Sequence, residues 1–275
     1  MGGGGDSLQR LTATQNLMLG TASGIMTKCC NYPLLNWKNA TQQGLPISFS
    51  PPVVYRGLFM ACLNLGGTTA VQFWSVGVFQ KLIAGKEKIN STQQITAAFC
   101  GGMMSGIPCS LWELTMIQQQ RFGGSIIGAP QRIVAAHGIS VLGRGTIMTM
   151  GRESLFTMAM LGATPVMQRE LIERFKMDPS VGLAVGSLLG AFFSATVTHP
   201  MDTIKTCMQG DVEQKKYTNI RGTGASLVQE NGVKGLFKGL SWRIALIATT
   251  FFLVNKFKEG LAPVMFPEPT EEKKK

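Results

Sequence analysis

The sequence predicts an all-α membrane protein with six transmembrane helices arranged as three consecutive pairs. Three observations carry that expectation. Residues 179–198 contain no charged side chain, and about twenty apolar residues suffice to cross a bilayer. Of the 275 residues, 45% are hydrophobic, 15% are charged and 33 are glycine, a balance that favours several membrane helices packed on small residues. Finally, His137-Gly138-Ile139-Ser140-Val141-Leu142-Gly143-Arg144-Gly145 matches Asn231-Gly232-Val233-Lys234-Gly235-Leu236-Phe237-Lys238-Gly239 at one constant offset, and Tyr55-Arg56-Gly57 echoes its end. A constant offset marks duplicated units.

The first segment runs from about Thr12 to Gly44, with Gly20 and Gly24 offering a small-residue surface to another helix. Its only early charge is Lys28. A lone ammonium inside a membrane helix is costly unless it faces water or an acid, so Lys28 is a functional-site candidate. The second segment, about Arg56 to Ala84, carries Asn64 as its most interior polar side chain. The third covers about Ser91 to Arg121 and the fourth about Thr146 to Phe175, the latter holding Arg152 and Glu153 amid Met, Leu and Ala. The fifth begins at Pro179. The sixth runs from about Ser241 to Pro263 with Arg243 near its start. Short amphipathic helices are expected at Pro130 to Ala136 and Gly222 to Glu230, whereas the proline-rich stretch from Thr41 to Tyr55 leaves no room for one. The units are then residues 12–90, 91–178 and 179–266, flanked by tails 1–11 and 267–275.

A net charge of +11 points to anionic partners. The basic residues are scattered between apolar runs and form no stripe, which argues against nucleic acid and for anionic headgroups and an anionic small molecule. Six cysteines lack a C-x-x-C pair and read as reduced packing residues. Two distant histidines give no metal-ligand spacing, and His199 beside Pro200 reads as a structural polar residue. No nucleophile and base stand at a recognisable spacing, and no phosphate-cradling glycine loop is present; neither an enzyme nor a cofactor is expected. The amino terminus is too short and uncharged for a presequence, Asp6 stands where a myristoylation signal wants Ser or Thr, and the polar carboxyl tail reads as a mobile end.

At the end of the fifth segment, His199-Pro200-Met201-Asp202-Thr203-Ile204-Lys205-Thr206-Cys207-Met208-Gln209 resembles the signature of the mitochondrial carrier family, P-x-[DE]-x-x-[KR] with a glutamine nine residues after the proline. Pro33, Lys38 and Gln42 reproduce three of those positions, with Leu35 replacing the acid. In the second unit Glu113 takes the acid position, Met116 the basic one and Gln120 the last, with Leu111 in the proline place and Pro108 one turn earlier. The nearest likeness is to carboxylate carriers, with degenerate first and second units.

The resemblance implies three pseudo-threefold-related hairpin repeats with short matrix helices around a central cavity in the inner mitochondrial membrane. It implies a matrix gate in which Asp202 meets Lys38, Glu113 meets Lys205, and Leu35 faces Met116, with Gln42, Gln120 and Gln209 bonded beneath. The two missing charges are each other's expected partners, which avoids a lone buried charge. It implies substrate contacts at Asn64, Arg152, Glu153 and Leu246, supplemented by Lys28 and Arg243. Arg152 grips a carboxylate through paired hydrogen bonds; Glu153 orients it, accepts a proton or contacts an amino group, unless the two merely neutralise each other. Cardiolipin sites are implied at Arg56-Gly57, Arg144-Gly145 and Lys238-Gly239, where helix N-termini hold phosphate.

The implied function is exchange of small carboxylates, di- or tricarboxylates or 2-oxo acids, by alternating access. Two departures stand out. Leu246 occupies a place where many carboxylate carriers have arginine, and the cytoplasmic pattern of aromatic-acid-x-x-base has no ionic pair at residues 76–80, 164–168 or 257–261. These departures suit two alternatives: a non-transporting structural subunit of a large respiratory membrane complex, and an amino-acid carrier in which Arg152 and Glu153 hold a zwitterion.

Overall fold

The computed structural model describes residues 12–85 and 89–266; both expected tails lie outside the described residues. The chain is helical throughout them. Helix α1 spans Ala13–Gln43, α2 Pro51–Val54, α3 Leu58–Ala84, α4 Ser91–Phe122 and α5 Gly128–His137. Then come α6 Thr146–Thr157, a π-helical stretch Met158–Ala163 and α7 Thr164–Glu173, which together form one rod. Helix α8 spans Pro179–Gly210, α9 Ile220–Asn231 and α10 Leu240–Met265.

Local chemistry sets the ends of these helices. Thr12 and Asn90 each form a capping box, with Gln15 and Gln93 respectively, which satisfies orphan N–H groups at the starts of α1 and α4. Gly44 ends α1 in the left-handed conformation. Gly57, Gly145 and Gly239 precede α3, α6 and α10 with φ of 83°, 83° and 81°, a backbone state that glycine adopts without steric cost. The repeated base-glycine pairs of the sequence are therefore three copies of one helix start. Between α1 and α3 the chain does fit a single helical turn, α2, because Pro51 and Pro52 occupy the first-turn positions where a missing N–H costs nothing.

Each rod packs on the next, and α10 returns to α1, closing a ring. The polarity of the ring is inverted relative to a soluble protein. Asn31, Asn36, Lys38, Asn39 and Gln42 on α1 are buried, whereas Phe73, Trp74, Phe192 and Phe193 are more than half exposed. Apolar side chains facing outward and polar ones facing inward suit a lipid surround. Among the described residues three stretches, Ser91–Phe122, Val181–Gly210 and Val233–Met265, are long and apolar enough to cross a membrane; a bent pair, Gly128–His137 with Ile139–Met160, makes up to four. That is fewer than the expected six. The shortfall has a cause: α1 and α3 devote Lys28, Lys38, Asn64, Thr68 and Gln72 to an interior cavity, which lowers their mean hydropathy.

Small residues do bring helices together, but not at the expected pair. Nothing lies within 4 Å of a Cβ placed on Gly20, and Gly24 meets only Leu65. The close approaches are on α4. A Cβ on Gly101 would lie 2.8 Å from the Val76 nitrogen, and one on Gly106 2.5 Å from the Met150 Cα. The Gly101-Gly102 and Gly106 face thus seats α4 directly on the backbones of α3 and α6.

Candidate functional site: an ion-paired floor beneath a cationic cavity

Within the ring lies a cavity of about 280 Å³. Lys28, Lys38, Arg152 and Arg243 line it together with Glu113, Glu153 and Asp202, and Asn64, Leu246 and Gln72 complete its wall. All five residues expected to contact substrate, Arg152, Glu153, Lys28, Asn64 and Arg243, stand on this one surface.

The cavity floor is an ion-pair network. Lys38 Nζ donates to Asp202 Oδ2 at 2.5 Å, and Lys205 Nζ to Glu113 Oε2 at 2.9 Å. Arg152 Nη2 lies 3.0 Å from both oxygens of Glu113 and 2.6 Å from Glu153 Oε1. Asp202 is the hub: beyond Lys38, it has Lys205 at 3.4 Å, Arg152 at 3.7 Å and Arg243 at 3.9 Å. Pairing and hydrogen bonding make such burial of charge tolerable. Cations nevertheless outnumber carboxylates. Among the described residues Lys28 makes no ion pair, and Arg152 Nε and Arg243 Nη1 have no hydrogen-bond partner within the protein. Arg152 does more than neutralise Glu153, since Glu113 takes its Nη2 as well.

The glutamines differ from one another. Gln42 Nε2 donates to Asp202 Oδ2 at 3.0 Å, directly bracing an ion pair. Gln209 Nε2 instead donates to the Ser110 hydroxyl and carbonyl, both at 3.1 Å, and to the Arg144 carbonyl at 3.2 Å. Gln120 touches no charge: its Nε2 donates to the Tyr32 hydroxyl at 3.0 Å, and its Oε1 accepts from Asn39 Nδ2 at 2.8 Å. The expectation that all three brace ion pairs is therefore corrected for Gln120 and Gln209. At the seam of Gln120 no ion pair exists; Leu35 packs against a buried cluster that contains Met116, Tyr32 and Ile117.

The base-glycine pairs are closely packed against the other units. A Cβ on Gly57 would meet Met116, one on Gly145 Lys205 and Gln209, and one on Gly239 Lys38 and Gln42. Each glycine thus lies against the residue at the basic signature position of another unit, so its first role is close approach. Arg144 directs its guanidinium at protein carbonyls: Nε to Met208 at 2.6 Å, Nη1 to Thr218 at 3.0 Å and Nη2 to Tyr217. Burial lowers its pKa, and Asp211 opposes that. The Arg56 carbonyl accepts from the Tyr32 hydroxyl at 2.5 Å, and the Lys238 carbonyl lies 2.9 Å from His199 Nε2.

The sequence reading missed Gln72, Cys109, Thr198, Tyr32 and Asn39. Gln72 Nε2 donates to Glu153 Oε2 at 2.7 Å; Cys109 Sγ lies between Glu153 and Arg152; Thr198 accepts from Arg243 Nη2 at 2.9 Å. One signal was available, because Asn64, Thr68 and Gln72 recur every four residues and so share one face of α3. At the other end of the rods, residues 76–80, 164–168 and 257–261 form no ion pair between helices among the described residues; the Lys256–Glu259 pair is local and exposed.

A sequence profile described as "Mitochondrial carrier protein" matches residues 176–263, which cover α8 to α10. The mitochondrial glycine transporter of Sclerotinia sclerotiorum is 24% identical over 95% of this chain and 96% of its own length. The succinate/fumarate mitochondrial transporter of Saccharomyces cerevisiae is 25% identical over 90% of this chain and 91% of its own. The mitochondrial carnitine carrier of the same yeast is 25% identical over 68% of this chain, which spans 61% of that relative. The chain is similar to mitochondrial carriers along nearly its whole length, with the profile itself confined to the third unit. What this likeness supports is a transporter of a small metabolite in the inner mitochondrial membrane rather than an enzyme. The profile falls on the unit in which Pro200, Asp202, Lys205 and Gln209 are all present.

Proposed function

We propose that this carrier exchanges small carboxylates, di- or tricarboxylates or 2-oxo acids, by alternating access. In this reading all six rods cross the membrane as three hairpin repeats, residues 12–90, 91–178 and 179–266, with α5 and α9 as short matrix helices. The observation that carries it is the excess of positive charge around the cavity, with Lys28 lacking an ion pair among the described residues and Arg152 Nε and Arg243 Nη1 held near Asp202 at 3.7 and 3.9 Å without a hydrogen bond. A carboxylate entering there meets charge-assisted donors from Lys28, Arg152 and Arg243, which all line the cavity. The size supports small metabolites: about 280 Å³ is room for about nine waters at ~30 Å³ each.

Lys38, Glu113, Asp202 and Lys205, with Gln42 and Gln209, act as the matrix gate. Desolvation offsets much of the attraction in buried ion pairs, so the closed state is only modestly favoured and a bound anion that recruits Arg152 away from Glu113 biases it toward opening. Cardiolipin phosphate is held at the starts of α3, α6 and α10, mainly by backbone N–H groups beside Gly57, Gly145 and Gly239, with Arg56 and Lys238 as nearby bases. Arg144 contributes less there, because carbonyls occupy its guanidinium.

A second reading, amino-acid transport, draws on Glu153. Its carboxylate lines the same cavity and suits an ammonium group, and a full-length relative is named a glycine transporter. Thermal unfolding of the purified chain in detergent separates the two. A ligand at a hundred times its Kd adds ~2.7 kcal/mol of stability. Malate, citrate or 2-oxoglutarate is expected to raise Tm, and Lys28→Gln to shrink that rise. A rise with glycine or another amino acid alone favours the second reading, and no rise with any of them counts against both.

A further inference from the structure

The three seams of the gate are closed by different chemistry. Between α1 and α8 stand Lys38 and Asp202, braced by Gln42. Between α8 and α4 stand Lys205 and Glu113, and Gln209 reaches the hydroxyl of Ser110. Between α4 and α1 the corresponding places hold Leu35 and Met116, which carry no charge and form part of one apolar cluster. Yet this seam is not held by packing alone. One step from the apolar contact runs a chain of hydrogen bonds: Asn39 Nδ2 to Gln120 Oε1 at 2.8 Å, Gln120 Nε2 to Tyr32 Oη at 3.0 Å, and Tyr32 Oη to the Arg56 carbonyl at 2.5 Å.

We propose that Tyr32 is a positioning residue of the gate, the centre of an uncharged clamp with Gln120 and Asn39 that holds the third seam closed where an ion pair is missing. This rests on the alternating-access reading above. Tyr32 is completely buried, and its ring packs in the cluster with Met116 and Ile117 and stacks on Tyr55 with centroids 6.1 Å apart. Both ends of the Gln120 amide are engaged, so the clamp ties α4 to α1 through both helices' side chains and to the start of α3 through the Arg56 carbonyl.

The surroundings are fitted to it. A Cβ on Gly57 would lie 2.9 Å from Tyr32 Oη and 3.1 Å from the Met116 carbonyl, so a side chain there would push the clamp apart. The residue preceding the signature proline has a related use in the third unit, where His199 Nε2 lies 2.9 Å from the Lys238 carbonyl. A neutral clamp differs from an ion pair in its consequences. It adds the modest stability of ordinary hydrogen bonds without desolvating charge on closure, and salt does not screen it as it screens exposed charges.

The test reads the gate without needing a transported substrate. Thr69 lines the cavity, and its hydroxyl bonds only to the Leu65 carbonyl of its own helix; Thr69→Cys is the reporter. The full chain in sealed vesicles is exposed on the matrix face to a membrane-impermeant maleimide, and modification at position 69 is read by peptide mass spectrometry. Tyr32→Phe is expected to raise the labelling rate about fivefold, the population change that corresponds to loss of the one ordinary hydrogen bond that the Tyr32 hydroxyl makes across the seam, from Gln120. Adding Leu35→Asp with Met116→Lys, which supplies the missing ion pair, is expected to return labelling toward the starting rate. Should Tyr32→Phe fail to fold, Gln120→Leu, which removes both cross-seam bonds, is expected to give at least as large a rise.

A folded Tyr32→Phe with unchanged labelling overturns the proposal. So does a rise that the added ion pair leaves untouched, since that is loss of packing rather than of a gate contact. Absence of matrix-face labelling in every variant, with labelling from the other face intact, overturns alternating access and the clamp with it. Failure of carboxylates to bind leaves the labelling result decisive.

Discussion

Asp202 shows how unequal two members of one ion pair can be. Among the described residues its partner Lys38 has Asp202 as its only carboxylate at 4 Å or less, whereas Asp202 faces Lys38, Lys205, Arg152 and Arg243. Replacing Lys38 by Met leaves Asp202 with three cations, but replacing Asp202 by Asn leaves four buried cations to share Glu113 and Glu153. Breaking a buried pair by removing one partner costs ~3–5 kcal/mol. Asp202→Asn is expected at or above the top of that range and Lys38→Met at its bottom, read as the two losses of thermal stability in detergent; equal losses would mean that the hub is not a hub. The charged partners were expected through the resemblance to the carrier signature, which Pro200, Asp202 and Lys205 carry in full and Lys38 and Glu113 only in part. Arg152's hold on Glu113 was not, since nothing in the spacing of α4 and α6 announces which oxygens an interior guanidinium will reach.

At the scale of elements, the connection from α8 to α9 depends on one carboxylate. Asp211 Oδ2 accepts from the backbone of Lys216 at 2.7 Å and of Tyr217 at 2.8 Å, and Oδ1 from that of Lys215 at 3.2 Å. Burial opposes its ionisation, yet these three donors outweigh burial and hold its pKa below the ordinary 3.8. A carboxyl depressed on folding stabilises above its unfolded pKa and loses that contribution as pH falls through the folded value. Backbone amide exchange at residues 215–217 should therefore stay protected above about pH 4 and loosen as the solution is acidified further. Asp211→Asn should reduce protection at neutral pH and abolish the acid step; an unchanged acid step would assign it to another group. Helix extents were largely readable from apolar runs, prolines and the repeated base-glycine starts. Other features were hidden. The small-residue contact sits on Gly101, Gly102 and Gly106 rather than on Gly20, because spacing alone does not say which glycine faces a neighbour's backbone. Gln120 and Gln209 bond to the Tyr32 and Ser110 hydroxyls rather than to a charged group.

For the whole molecule, a ring of rods with apolar outside and polar inside makes one internal surface, and every charge of α1, α4, α6 and α8 that the sequence singled out is drawn to it. That convergence links residues as far apart as Lys38 and Asp202, 164 positions in sequence, and it is what makes a cavity above a closable floor. The third unit carries the carrier signature in full, so the likeness was legible from a few positions, whereas the neutral seam between α1 and α4 was legible only in three dimensions. The direct measurement is exchange in liposomes that hold the purified chain, loaded with one small carboxylate and offered another in labelled form. Saturable uptake that needs internal substrate, and that falls at least tenfold in a folded Arg152→Gln variant, is the predicted result. Uptake of amino acids only, or equal uptake by wild type and variant, would contradict the account.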